Sequence, residues 1–199
     1  LDQLLRFGIR RVVLCTGFKG DQIKESIRDS YENLAIDYSQ ENTSLGTAGA
    51  IKAATETVFD ETLLVMNGDS YVDYDFHSFL LQHQTTGSNF SMVLAQIVGA
   101  QRYGAVQVDK KNRVTRFLEK STRASNELSL INAGTYLISR ECIKSFPMEN
   151  PLSLETKIIP TFVGKGLHGF IAGGRFIDIG TPSSFAEAGK FFDALCNSW

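Results

Sequence analysis

A doubly wound, Rossmann-like α/β fold with a mixed sheet is predicted for this chain, on three observations. Short apolar runs that stop at glycine or Asn-Gly, such as "RRVVLCTGF" and "TLLVMNGD", read as strands buried on both faces. Amphipathic helical patterns alternate with these runs, as in parallel βα units. One stretch, "YGAVQVDKKNRVTRFLEK", alternates around a Lys-Lys-Asn turn and reads as a hairpin with no helix inside it, which makes the sheet mixed.

In chain order, Leu1, Leu4, Leu5 and Ile9 form a helical stripe that leads into the strand "RRVVLCTGF". "GDQIKESIRDSY" is a helix, with Ile23 and Ile27 four apart. "LAIDYSQ" alternates and is a strand. "ENTSLGTAGAIKAATETVF" opens as a polar loop and becomes an Ala-rich helix from about Ala48. "TLLVMNGD" is a strand, "FHSFLLQHQTTG" a helix closed by Gly87, and "SMVLAQIV" another strand. After the hairpin, "LINAGTYLIS" is a strand and "SLETKIIPTFVGKG" a helix that Pro160 ends or kinks. "FIDIGTPSSFAEAGKFFDAL" gives a strand, a glycine turn and a helix. Thr181 suits that helix's cap and Pro182 its first position; Phe185, Ala188, Phe192 and Leu195 form its apolar stripe.

With 199 residues, the chain is expected to form a single domain over 1–199. Hydrophobic residues make up 43% and charged residues 21%, and the formal net charge is -2, a balance that argues against a general nucleic-acid or acidic-membrane binder. No apolar run is long enough to span a bilayer. Cys15, Cys142 and Cys196 are isolated and odd in number, which suits buried thiols of a reducing compartment better than a disulfide frame or a zinc site. His77, His83 and His168 have no ligand spacing. A cytoplasmic protein is expected. The pattern opens in mid-stride at Leu1, so a preceding strand is expected as well. No hexapeptide repeat appears, so no appended β-helix is expected.

The chemistry-bearing residues cluster where apolar runs end. Asp69 follows "LLVMNG", and Asp178 lies in "FIDIG". In open α/β sheets ligands sit beyond the carboxyl ends of strands. Two carboxylates there could share a Mg²⁺, which prefers few carboxylates with phosphate oxygens and water; equally, both could be strand-end acids facing solvent. "SLGTAGA" places Gly46 and Gly49 just before a helix, where backbone can approach a phosphate or a base closely, or where the chain simply turns. It is no Walker A sequence. Glu119 and Lys120 end the hairpin's second strand as a solvated ion-rich end or as pocket residues, and neighbours in a strand face opposite ways. "INAG" puts a polar, small break, with Asn132, into an apolar strand, a place where a ligand can come close.

Taken together and in this order, "LGTAGA", "NGD", "RYGAVQVD", "EK", "NAGTY" and "DIGTP" resemble the motif series of the sugar-1-phosphate nucleotidylyltransferases. The series runs from Glu41 to about Pro182. Within that family, "LGTAGAIK" and "FIDIG" are most similar to the short guanylyltransferases acting on D-glycero-D-manno-heptose 1-phosphate, which lack a C-terminal β-helix. The resemblance implies attack of a sugar 1-phosphate oxygen on the α-phosphorus of a nucleoside triphosphate, with pyrophosphate leaving. It implies Asp69 and Asp178 as Mg²⁺ ligands, and Lys120 as the catalytic cation on the sugar phosphate. Gly104, Glu119 and Asn132 would line the sugar pocket, Gly46 and Thr47 would lie against the base, and Glu41 would read guanine. Asp73 and Asp75 have no matching role and are expected to be solvated. The partners implied are the nucleoside triphosphate and the sugar 1-phosphate, without nucleic acid or membrane, in a chain that could form a homo-oligomer.

Two departures stand out. The family's glycine-rich G-G-x-G-T-R-L segment, which brings a central strand and the triphosphate loop, has no counterpart before Leu1, and Ser44 stands where proline usually precedes "LGT". Two other readings remain open at this level: a catalytically silent paralogue that binds a nucleotide-sugar, and a metal-dependent glycosyltransferase using "DSYVD".

Overall fold

The computed structural model describes residues 1–98, 103–118 and 128–196. Glu119 and Lys120 lie outside the described residues. The chain divides into two compact units, residues Leu1–Thr62 with Ser139–Thr161, and Leu63–Ile138 with Phe162–Trp199.

The first unit contains helix α1 (Asp2–Arg6), strand β1 (Arg11–Thr16), α2 (Gly20–Ile27), β2 (Ser30–Tyr31), β3 (Leu34–Gln40) and α3 (Gly46–Ala54). β1 and β3 run parallel, from Arg11 opposite Ala35 to Thr16 opposite Gln40, and β2 folds back antiparallel on β3. α3 packs over β1 and β3. The later segment adds α5 (Arg140–Lys144), a wide π-helical turn over Leu154–Ile158, and the start of α6 (Ile159–Phe162). The widened turn just precedes Pro160, whose ring cannot follow a regular helical turn without a clash. Leu34, Ile36, Ala48, Ile143, Leu152 and Ile159 form this unit's core.

The second unit is built on the order β10-β6-β9-β7-β8, with β4 (Thr62–Met66) also pairing β9. Here β6 is Phe90–Val98, β7 Ala105–Val108, β8 Val114–Leu118, β9 Leu128–Ser139 and β10 Leu167–Ile171. β10 runs parallel to β6, whereas β9 is antiparallel to β6 and β7 to β8. The hairpin forms as its sequence predicts. The Asp109 carboxylate accepts from the Lys111 and Arg113 N–H groups and from Arg113 Nε, while Asn112 takes φ 58. α4 (Phe76–Thr86) packs on β6 and β10, and Gly87 closes it in the left-handed conformation at φ 61. A separate ribbon pairs β5 (Ser70–Val72) with β11 (Phe176–Asp178), and α7 (Pro182–Cys196) packs beside β11.

Several expectations change. β1 and β4 are half-exposed rather than buried on both faces, because each has few strand neighbours among the described residues. The helix read over 20–31 stops at Ile27, where Arg28 turns at φ 65 and β2 begins. α3 starts at Gly46, two residues earlier than the alanine run indicates. The apolar stripe of α7 is not a core stripe: Phe185 is 66% exposed, and Phe191 with Phe192 packs edge-on against Tyr71 instead. Cys15 is exposed and Cys142 buried. Loss of hydration and the Glu41 carboxylate push the Cys15 thiol up, and burial pushes Cys142 up to about 11, so neither is an activated nucleophile. His83 is buried, its Nδ1 2.8 Å from Ser91 Oγ.

Asp75 is not an idle solvated acid. It caps α4: its carboxylate accepts from the Ser78 N–H at 3.1 Å and from Ser78 Oγ at 2.7 Å. Those bonds hold its carboxyl below the usual range. A depressed folded-state pKa stabilises above the unfolded value and ceases to as pH falls through the folded one. Asp75→Ala therefore lowers the melting temperature at about pH 7, and the gap to wild type narrows below about pH 4. Melting curves across that range check this; a gap that stays constant would remove the charge from the cap.

Candidate active site

The acidic pair belongs wholly to the second unit. β9 is interrupted where "INAG" reads as a polar break: its register against β6 shifts between Met92 and Leu94, a bulge, and Gly134 takes φ 73 there. The Asn67-Gly68-Asp69 turn lies against this bulge. Asn67 N–H donates to Gly134 O at 2.8 Å, and Ser70 Oγ to Ala133 O at 3.3 Å. A methyl group on Gly134 would sit 2.8 Å from both Asn67 Nδ2 and Ser70 Oγ, so only glycine allows the approach.

From that anchored turn the chain enters β5, and Ser70 pairs with Asp178 on β11. Ile179 N–H donates to Asp69 O at 2.8 Å, and Gly180 N–H to Asp178 Oδ1 at 3.1 Å. The two carboxylates thereby border one spot. A side-chain carbon on Gly180 would lie 3.2 Å from Asp178 Oδ1 and 3.7 Å from Asp69 Oδ2. The meeting comes from direct pairing of two three-residue strands, not from two long central strands ending side by side. Among the described residues no group of three or more His, Cys, Asp or Glu could hold a metal. Two carboxylates around a space that glycine leaves open match the donor set of Mg²⁺, which completes its shell with water and phosphate.

Gly104 and Asn132 are also brought together. Asn132 N–H donates to Gly104 O at 3.1 Å, and neighbouring Tyr103 packs edge-on against Phe176 of β11, centroids 5.4 Å apart. The Asn132 amide donates to Tyr136 Oη at 2.7 Å and accepts from Gly134 N–H at 3.1 Å. Asp73 acts through its backbone, donating to Arg175 O at 2.9 Å.

The small-residue stretch, which opens α3, belongs to the first unit. Glu41 Oε2 accepts from Leu45 N–H at 2.9 Å, and Glu41 packs so closely on Gly17 that a methyl there would be 2.7 Å from Oε1. Gly46 stands at φ 73 with Leu152 backbone atoms 2.6–2.8 Å from where its side chain would begin. Ala48 and Gly49 N–H both donate to Leu152 O, at 2.9 and 3.3 Å. In a phosphate-binding turn such N–H groups face the ligand; here the Leu152 carbonyl occupies them. Gly17, Gly134, Gly180 and Leu152 carry these arrangements without having been singled out as site residues. "INAG" and the glycines closing two strands are the traces of the three glycines in sequence, and Leu152 leaves none.

The nucleotidyl transferase family matches residues 1–194. The chain belongs to that family. The chain is similar to a D-glycero-α-D-manno-heptose 1-phosphate guanylyltransferase of Aneurinibacillus thermoaerophilus, 30% identical over 92% of this chain and 78% of that protein. The Campylobacter jejuni protein of the same name is 32% identical over 92% of this chain and 80% of its own length. The crystal structure of HddC from Yersinia pseudotuberculosis complexed with GMP-PN superposes with a TM-score of 0.84 at 30% identity, covering 96% of this chain and 82% of HddC. The chain is thus a nucleotidyltransferase of Rossmann-like mixed α/β fold, as the motif series implies. Membership sides with nucleotidyl transfer over glycosyl transfer.

Proposed function

We propose that the protein transfers GMP from GTP to a heptose- or mannose-type sugar 1-phosphate, releasing pyrophosphate and forming a nucleotide-sugar. The observation that carries this is the convergence of Asp69 and Asp178 beside Gly180, in a chain whose relatives include heptose 1-phosphate guanylyltransferases. Phosphoryl chemistry of this kind is mostly positioning and charge neutralisation. Asp69 and Asp178 would hold Mg²⁺, which when bound offsets the triphosphate's negative charge. Lys120 would neutralise the sugar phosphate as a point charge. Gly104, Glu119 and Asn132 would line the sugar's site, and Gly46 and Thr47 that of the base. The family match runs through both compact units, which supports one nucleotidyltransferase domain.

Glu41 is assigned to guanine. Guanine offers N1–H and N2–H₂ side by side, and an ionised carboxylate only accepts. One Glu41 oxygen already accepts from Leu45 N–H, but each carboxylate oxygen has two lone pairs. The amide oxygen of glutamine keeps the Leu45 bond and loses the match to guanine. Glu41→Gln therefore cuts the preference for GTP over dTTP about tenfold or more, the scale of one hydrogen bond to a charged group. Pyrophosphate release, screened over triphosphates and sugar 1-phosphates, tests the whole reading. A wild type that prefers another triphosphate would overturn the guanine assignment, and one that releases no pyrophosphate with any pair would overturn the reaction.

A further inference from the structure

Leu45 and the first turn of α3, residues 46–49, are held from outside by a segment far away in sequence. Leu152 N–H donates to Leu45 O at 2.7 Å, while Leu152 O takes both the Ala48 and Gly49 N–H groups. Leu154 N–H donates to Thr47 Oγ1 at 2.7 Å. The Thr47 hydroxyl in turn donates to Glu155 Oε2 at 2.9 Å. Ser153 Oγ donates to the same Glu155 oxygen at 3.2 Å, and Thr156 N–H caps onto Ser153 Oγ at 3.1 Å. The Thr47 hydroxyl has one proton, and Glu155 receives it. Thr47 is thus locked as a donor to Glu155 and an acceptor from Leu154, with its rotamer fixed at both ends.

We propose that Glu155 is a positioning residue for nucleotide selection, fixing through Thr47 the first turn of α3, on which the base is held. The proposal rests on the guanylyl-transfer reading and deepens it. This stretch is the N-terminal turn of α3, whose first N–H groups have no partner within the helix, so bonds from elsewhere satisfy and shape it. The Leu152 backbone bonds set the turn's path. The Thr47–Glu155 bond joins side chain to side chain, beside the Leu154 N–H that Thr47 Oγ1 accepts, and an ionised acceptor makes it stronger than a neutral pair. Without it, Gly46 and Thr47 keep their path but lose their fixed orientation, and the energy of ordering them falls on nucleotide binding.

The test uses the full-length protein in steady-state kinetics, with calorimetric binding of GTP as a readout independent of turnover. Glu155→Ala is expected to raise the Kd and KM for GTP about tenfold, with kcat and the KM for sugar 1-phosphate changed by less than about twofold. Glu155→Gln, whose amide oxygen still accepts from Thr47 and Ser153, restores most of that loss. Thr47→Val loses the Leu154 N–H bond as well, so its defect is at least that of Glu155→Ala, and the double variant is no worse than Thr47→Val alone, as a shared bond requires. Additive defects, a defect that falls equally on the sugar phosphate, or failure of Glu155→Gln to rescue would each overturn the proposal. If Glu155→Ala does not fold, Thr47→Val with Thr47→Ser as its rescue decides on the same measurements. If wild type prefers another triphosphate, the guanine assignment fails separately, and the same variants measured with that triphosphate still decide the clamp.

Discussion

Asp69→Asn and Asp178→Asn each lower the turnover of the full-length enzyme on the order of 100-fold or more, several kcal/mol of transition-state charge stabilisation, while leaving it folded. The backbone explains why folding survives. Asp69 is tied in by its carbonyl, which accepts from Ile179 N–H, and an asparagine at 178 retains an oxygen for Gly180 N–H. What goes is a negative charge on either side of the space beside Gly180. Each variant should also weaken Mg²⁺ binding, followed by calorimetry in the presence of a non-hydrolysable GTP analogue. Near-normal turnover in either one would remove that residue from the metal site.

Gly134→Ala is expected to damage both stability and turnover. The left-handed backbone costs a non-glycine residue roughly 1–2 kcal/mol, and overpacking against Asn67 and Ser70 adds about 1–3 kcal/mol more. The strain falls on the turn that presents Asp69, so kcat should drop along with the melting temperature. Gly87→Ala is the control. It has a similar φ, 61, but nothing lies within 4 Å of its missing side chain. It should cost about 1 kcal/mol and leave turnover alone. If the two variants behave alike, the close approach at Gly134 does not position Asp69.

Much of the local structure was legible because it is made by neighbours in the chain. The Thr181 cap, where Ser184 N–H donates to Thr181 Oγ1, and the Gly87 stop are set by bonds spanning three or four residues. The hairpin around Lys110-Lys111-Asn112 likewise closes on Asp109 beside it. The motif order was enough to place the chain in its family, because a series of weak signals in one sequence is specific where each alone is not. Some of the shortest elements escaped. β5, β10 and α5 are too short for either hydrophobic period to repeat. The α7 stripe misled because its period gives a helix's apolar face but not whether anything covers it, and Phe185 stays exposed.

By itself, then, the sequence determined the alternation of strands and helices, the caps and turns, and which residues are candidates for the chemistry. Only the tertiary structure decided which of those residues meet. Asp69 and Asp178 are 109 positions apart and border one space because β5 and β11 pair and Gly180 has no side chain. Thr47 and Glu155 stand 108 positions apart and share one proton. Asp73 and Asp75 looked alike in sequence, yet one caps a helix and the other is tied in through its backbone. Periodicity records how a residue faces its own element. Contacts between residues so far apart depend on strand pairing and close backbone approach, which leave at most a glycine as their trace.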